Sequence, residues 1–401
     1  MSGRSEEDVL TLDVLRAREE TPGCANVIHF NNAGASLMPR PVLETVLDHL
    51  RLESSIGAYE AMEHAEPALQ RVYHSIATLL GAKPDEIAVV ENSTRAWDMA
   101  FYSLSFQPGD RILTSAAEYA SNYLAFLQTA KRTGAVIESI PSDPAGQVSV
   151  EELERMIDSR VKLISLTYVP TNGGLVNPAR GVGAVARRAG IPYLLDACQA
   201  VGQIPIDVAE IGCDMLAGTG RKFLRGPRGI GFLYVKHELL GTLEPPFVDM
   251  HAATWVARDR YELHPDGRRF ENFEFNVASK LGLGKAVDYA LGWGIDAIQQ
   301  RSWSLAGALR KELSAIPGVE VRDIGAEKCA IVTFTAEGRD PEAIKRALAG
   351  KRMNVTVTTT DSTRIDMEDR GLNSMVRASL HYYNTEDEID RFCMAVREIG
   401  S

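Results

Sequence analysis

Cysteine is scarce, with five residues in 401: Cys24, Cys198, Cys213, Cys329 and Cys393. None forms a C-x-x-C pair and the count is odd, so neither a zinc cluster nor a disulfide framework is indicated. A long apolar run is missing as well, since nothing approaches the ~20 residues that span a bilayer. The opening MSGRSEEDVL carries acid where a signal peptide is basic and then apolar. These absences lead to the expectation of a soluble protein of the reducing cytoplasm. Basic residues are outnumbered, 43 Lys and Arg against 54 Asp and Glu, for a net charge of −11. That balance disfavours nucleic acid or an anionic membrane as the main partner. No repeat stands out at a period of 20–50 residues. What is present, 45% hydrophobic and 24% charged residues, belongs to a globular chain long enough for two or three domains.

From about residue 41 helical and strand patterns alternate. Val42, Leu43, Val46, Leu47 and Leu50 share a helix face after Pro41, and Leu69, Val72, Tyr73, Ile76 and Leu80 share another. Short apolar runs then appear at 87–90, 111–114, 135–140, 162–169 and 193–196, with two more at 214–218 and 231–235. Strands alternating with helices predict an α/β domain whose mostly parallel sheet is covered on both faces. Past residue 265 the texture changes. HPDGRRFENFEFN has no clear period, a long helical stretch is expected over 277–316, and strands are expected at 330–334, 355–359 and 375–380. The division reads as a large domain over 30–285 and a smaller α+β domain built from 1–29 and 286–401.

Ligands of open α/β sheets sit at the carboxyl ends of strands, so the residues following each run are the candidates. Ser93 and Thr94 either cap a helix or meet a phosphate at its N-terminus. Tyr119, in Glu118-Tyr119-Ala120-Ser121-Asn122, is ordinary packing or an aromatic lid over a flat ligand. Pro170-Thr171-Asn172-Gly173-Gly174 is a polar turn. Asp196 ends an apolar strand, where a carboxylate is costly to bury without a cation. Gly218-Thr219-Gly220-Arg221-Lys222 then sets a lysine among small and cationic residues. A nucleophilic lysine needs a depressed pKa, which neighbouring cations and a dry pocket supply. The same cations would neutralise a phosphate. Asp ahead of Lys matches what pyridoxal phosphate requires, a lysine for the Schiff base and a carboxylate for the pyridine nitrogen.

With these motifs in order, from Phe30-Asn31-Asn32-Ala33-Gly34 to Val376-Arg377-Ala378-Ser379-Leu380-His381-Tyr382-Tyr383-Asn384-Thr385, the chain resembles the class V aminotransferase family. These are fold-type I pyridoxal-phosphate enzymes that include cysteine desulfurases, C–S lyases and isopenicillin N epimerase. The resemblance implies a large domain with a mostly parallel seven-stranded sheet and a smaller α+β C-terminal domain. It implies pyridoxal 5'-phosphate as cofactor, no metal, and a homodimer with the active site near the subunit interface. Lys222 would form the Schiff base and shuttle the Cα proton. Asp196 would pair with the pyridine nitrogen, and Gln199 would lie near the ring hydroxyl. Ser93, Thr94, Thr219 and Arg221 would hold the phosphate. Tyr119 stands where desulfurases have a ring-stacking His. Thr171 and Asn172 stand where the family has polar contacts to ring or substrate. Asn32 and Arg377 would face the substrate, with Arg377 binding its carboxylate in a two-pronged way that Lys would do worse.

Three departures bear on the reaction. Desulfurases carry a nucleophilic Cys shortly before the Arg377 strand, and Val355–Arg364 has none. Cys329 and Cys393 fall outside that stretch and read as packed thiols, so persulfide chemistry is disfavoured. Phe273-Glu274 replaces the family's Gly-Thr, and a carboxylate there would repel a partner subunit's phosphate. Arg221 stands where many members have His. The expectation is therefore an enzyme acting on a small amino acid, placed first as an aminotransferase on the family's name. The alternatives are a β-eliminating C–S lyase of the hercynylcysteine sulfoxide or cystine type, an amino-acid epimerase, and a non-catalytic binding protein that keeps the fold. Four histidines, His29, His64, His251 and His381, read as polar packing residues. Trp255, Phe270, Phe273 and Phe275 read as core or dimer contacts rather than a substrate mouth.

Overall fold

The computed structural model describes residues 12–400, so MSGRSEEDVL, on which the signal-peptide reading rests, lies outside the described residues. Seven strands form the larger sheet: β1 Ile87–Val90, β2 Arg111–Ser115, β3 Val136–Ile140, β4 Val161–Thr167, β5 Tyr193–Asp196, β6 Met215–Thr219 and β7 Gly231–Val235. Their order is β1-β7-β6-β5-β4-β2-β3, parallel except for β7, which runs against both its neighbours. Apart from the edge strand β3, which is partly open, nearly every strand residue is buried, so both faces of the sheet are covered. Successive residues feed two different cores: Val89 and Leu195 pack on one side, Val90 and Leu194 on the other. After β3 the chain returns to lay β4 on the far side of β2, and the order reverses there. The carboxyl ends of β1, β2, β4, β5 and β6 share one edge, beside that reversal.

The second sheet is antiparallel, with β8 Val319–Val321, β9 Ile331–Ala336, β10 Thr356–Thr359 and β11 Ser374–Ser379 in the order β8-β9-β11-β10. Helices 295–314, 341–350 and 386–400 cover it over a separate core that includes Leu309, Phe334, Leu348 and Phe392. The N-terminal segment joins this unit, where Ile28–His29 pairs in parallel with Met353–Asn354.

One expected element differs, and one element was not expected. The long helical stretch is two helices, Val277–Trp293 and Ile295–Ser314, separated at Gly294, whose φ of 81° a side chain rarely adopts. Residue 285 lies within the first of these helices, which packs on helices 40–56 and 58–80. Gly282 and Gly284 let it come close: a Cβ at 282 would meet Val46 and Pro227, and one at 284 would meet Val72. An exposed hairpin, Ala253–Ala257 with Arg260–Leu263, also stands ahead of the segment read as patternless.

Candidate active site

Nine residues expected to hold the cofactor line one cavity at the carboxyl edge of the larger sheet: Ser93, Thr94, Tyr119, Thr171, Asp196, Gln199, Thr219, Arg221 and Lys222. A second cavity adjoins it through Tyr119, Thr171, Arg221 and Lys222, and Arg377 lines this one.

Lys222 sits in the tight loop after β6. Gly226 N–H donates to Gly220 C=O at 2.7 Å and Arg225 N–H to Lys222 C=O at 2.9 Å, which closes the loop around it. Arg225 holds the loop from beneath with a left-handed φ of 61°. Its buried guanidinium donates to Leu37 C=O at 3.0 Å and the Tyr382 hydroxyl at 2.6 Å, and lies 4.4 Å from the Tyr383 ring. Lys222 is 9% exposed, and its ammonium has no hydrogen bond or ion pair among the described residues. Burial holds its ammonium below the usual lysine range; Arg221 and Arg377 add to this, while Cys198 and Asp196 oppose it. A buried amine in this state is a nucleophile rather than a salt-bridge partner.

Asp196 ends β5 and forms no ion pair among the described residues. Oδ2 accepts from Asn122 Nδ2 at 2.9 Å and Oδ1 from the Cys198 N–H at 2.9 Å. Burial raises its pKa despite these donors. A buried carboxyl so placed is what a protonated ring nitrogen would meet. The Asn122 amide also donates to Glu118 Oε1 at 2.8 Å. Both its protons therefore serve carboxylates, which fixes the amide against a flip. Glu118 is fully buried and further held by Thr114 Oγ1 at 2.7 Å, the Tyr119 N–H at 2.9 Å and the Thr167 hydroxyl. Sequence reasoning quoted this motif and singled out only Tyr119. The missed signal is the four-residue spacing of Glu118 and Asn122, one helical turn apart.

The four residues expected to hold a phosphate line this same cavity. Asn92 caps helix Ser93–Phe101 by accepting from the Arg95 N–H at 2.9 Å, and the first N–H groups of the helix point out of its end. Gly231 on β7 lets the strand lie against this turn, because a Cβ there would meet Gly218 C=O, Asn92 and the Ser93 nitrogen within 3 Å. Arg221 donates to Gly34 C=O. Gln199 Nε2 donates to Ala33 C=O at 3.1 Å and Thr171 Oγ1 at 3.3 Å, leaving Oε1 buried and without a partner. A raised acid, an unpartnered amine and an unsatisfied amide around one space with a helix N-terminus fit pyridoxal phosphate.

Arg377 stands on β11 and spans the two units. Nη1 donates to Thr171 C=O at 3.0 Å and Thr171 Oγ1 at 2.5 Å, while Nε is buried and unpartnered. Burial first, then the charge of Arg221, pushes its pKa down to about 10, so it remains cationic at neutral pH. It forms no ion pair among the described residues, and neither Nε nor Nη2 has a hydrogen-bond partner there.

Asn32 and Asn172 are not brought into either cavity. Asn32 Nδ2 donates to Ser379 C=O at 2.8 Å and its Oδ1 accepts from the Tyr383 hydroxyl at 2.5 Å. Asn172 Nδ2 donates to Thr363 Oγ1 at 2.7 Å and Thr359 C=O at 3.1 Å, tying the polar turn to the segment after β10. Their amides hold chain to chain. Asn31 lines the second cavity instead, with Oδ1 buried and unpartnered. Cys198, not singled out from sequence, lines the first. Cys329 and Cys393 are packed thiols, each pushed up to about 12 by burial. Phe270 is core, while Trp255 and Phe273 are exposed.

The profile of the family described as Aminotransferase class-V matches residues 28–392. A probable cysteine desulfurase of Methanothermobacter thermautotrophicus is 28% identical over 390 residues, covering 96% of this chain and 97% of that protein. One from Xylella fastidiosa is 30% identical over 379 residues, covering 93% and 91%. Among solved structures, the apo cysteine desulfurase of Thermococcus onnurineus superposes with a TM-score of 0.88 at 27% identity, covering 99% of this chain and 98% of the other.

Proposed function

The chain belongs to the class V aminotransferase family, enzymes that use pyridoxal 5'-phosphate, and from that premise we propose that it acts as a C–S lyase. In this reading the substrate is a small amino acid bearing sulfur on Cβ. Pyridoxal phosphate, when bound, draws electrons from the Cα of the amino acid it holds. Every other task falls to the chain. Arg377 grips the α-carboxylate through Nε and Nη2, and Lys222 Nζ takes the Cα proton. The Cβ–S bond breaks, sulfur leaves with the electron pair, and Tyr119, which lines both cavities, supplies its proton. Asp196, held by Asn122, keeps the ring nitrogen protonated. The three-carbon remainder leaves as an imine, which one water hydrolyses to pyruvate and ammonia.

The observation that carries this choice is the second cavity's wall. Thr356, Val357, Thr358 and Ser362 face it, and no thiol does. The relatives are named cysteine desulfurases, yet the stretch 355–364 that would take up sulfur has no cysteine. Transamination, placed first from sequence, rests on the family's name, and no residue of either cavity favours it over elimination. The test is incubation with L-cysteine and L-cystine while assaying pyruvate, sulfide, alanine and protein-bound persulfide. Pyruvate with sulfide is expected. Alanine with persulfide on Cys198 or any other thiol would overturn elimination.

A homodimer is part of the proposal. Its support is the row of exposed apolar side chains Leu43, Leu47, Leu50, Ile56 and Tyr59 along two successive helices. For the cytoplasm, the support is that all five cysteines are free. No helix of the described residues is long and apolar enough to cross a membrane.

A further inference from the structure

The tasks assigned so far leave one cation of the second cavity without a use. Four cations line it, Arg221, Lys222, Arg228 and Arg377, and no carboxylate does. Arg221 and Lys222 also line the cofactor cavity, and Arg377 is matched to an α-carboxylate. Arg228 remains. It lies on the exposed turn between the Lys222 loop and β7 and makes no hydrogen bond or ion pair among the described residues. Ser362, on the turn after β10, lines the same cavity with its hydroxyl equally unpartnered. Arg377 holds Thr171 through Nη1, and its Nε is buried without a partner. A cleft lined by one sign of charge concentrates the opposite sign. A neutral amino acid brings only one such charge.

We propose that the preferred substrate carries a second oxyanion at the end of its side chain, received by Arg228 and Ser362. This rests on the reading of the site as one for amino acids and narrows it to acidic ones. The second charge sits nearer solvent than the first, so it adds selectivity more than affinity.

The test titrates the cofactor-loaded protein with acid and amide pairs of equal shape. These are L-glutamate against L-glutamine, and S-carboxymethyl-L-cysteine against S-carbamoylmethyl-L-cysteine, each followed by the cofactor's visible absorption. The acids should bind about five- to tenfold more tightly than the amides, a preference that shrinks as salt is raised. Arg228→Gln should bring the ratio to about one by weakening the acids, and Arg228→Lys should retain part of it. Equal affinity of acids and amides in the unaltered protein, or a preference that survives Arg228→Gln, overturns the inference. If neutral amino acids shift the band and no acid preference appears, this inference alone fails. If no amino acid shifts the band, the amino-acid reading of the site fails with it.

Discussion

Arg377→Lys isolates the carboxylate clamp. Arg377 uses Nη1 on Thr171, so Nε and Nη2 are what it can offer a substrate. Lysine presents one point charge in place of two parallel donors. Losing one hydrogen bond to a charged group costs about 1.5–3 kcal/mol, which is roughly a 10- to 150-fold loss of affinity. The loss should deepen with pH. Arg377, pushed down to about 10, keeps its charge through the neutral range. A lysine starts about two units lower in water and loses its charge sooner in the same burial. The assay is a titration of the loaded protein with an amino acid that perturbs the visible band, at pH 7 and pH 9. The ligand-free spectrum should be unchanged, since Arg377 lines the second cavity and not the first. Affinity within twofold of the unaltered protein at both pH values would refute the clamp and return Arg377 to a role in joining β11 to the 171 turn.

Asn122→Ala should leave Asp196 without its side-chain donor and Glu118 short of one, two buried carboxylates at once. The expected result is about 1–3 kcal/mol of lost stability together with a shifted cofactor absorption maximum. Melting and spectra check it, and an unshifted band would show that Asn122 serves the fold alone. His381 is buried, with Nε2 against Phe223 C=O at 2.8 Å, and burial with the Arg225 charge pushes it down to about 3. The folded protein keeps it neutral while the unfolded chain takes up a proton below about pH 6.5, so its contribution to stability is lost as pH falls from there toward 3. Between pH 7 and 5 that amounts to about 2 kcal/mol, and His381→Asn should flatten the denaturation profile by that amount. An identical profile in the variant would place the acid sensitivity elsewhere.

The larger sheet was legible because its strands, except the edge strand β3, are buried along nearly their whole length. Tyr193–Asp196 and Gly231–Val235 stand where their apolar runs predict. The hairpin over 253–263 was not, since its residues are largely exposed and supply no alternation of buried and open positions. The break at Gly294 depends on one left-handed residue inside an otherwise helical pattern. At the site, the legible residues were those at or just past a strand end: Lys222, Asp196, Ser93 and Thr219 line one cavity. Residues placed by non-local pairing could not. Asn122 meets Asp196 across 74 residues, and Asn172 meets Thr363 across 191, so a motif position alone did not say which amide was free. Arg228 and Cys198 reach their cavities only because the loop around Lys222 and the turn after β5 fold toward the same edge.

The central claim is that Lys222 carries the cofactor. The direct measurement is reduction of the pyridoxal-phosphate-loaded protein with borohydride, followed by peptide mass spectrometry. A pyridoxyl adduct on Lys222 is expected, with no visible cofactor band in Lys222→Ala. An adduct on Lys280, the other buried lysine, or a band that persists in Lys222→Ala, would contradict it.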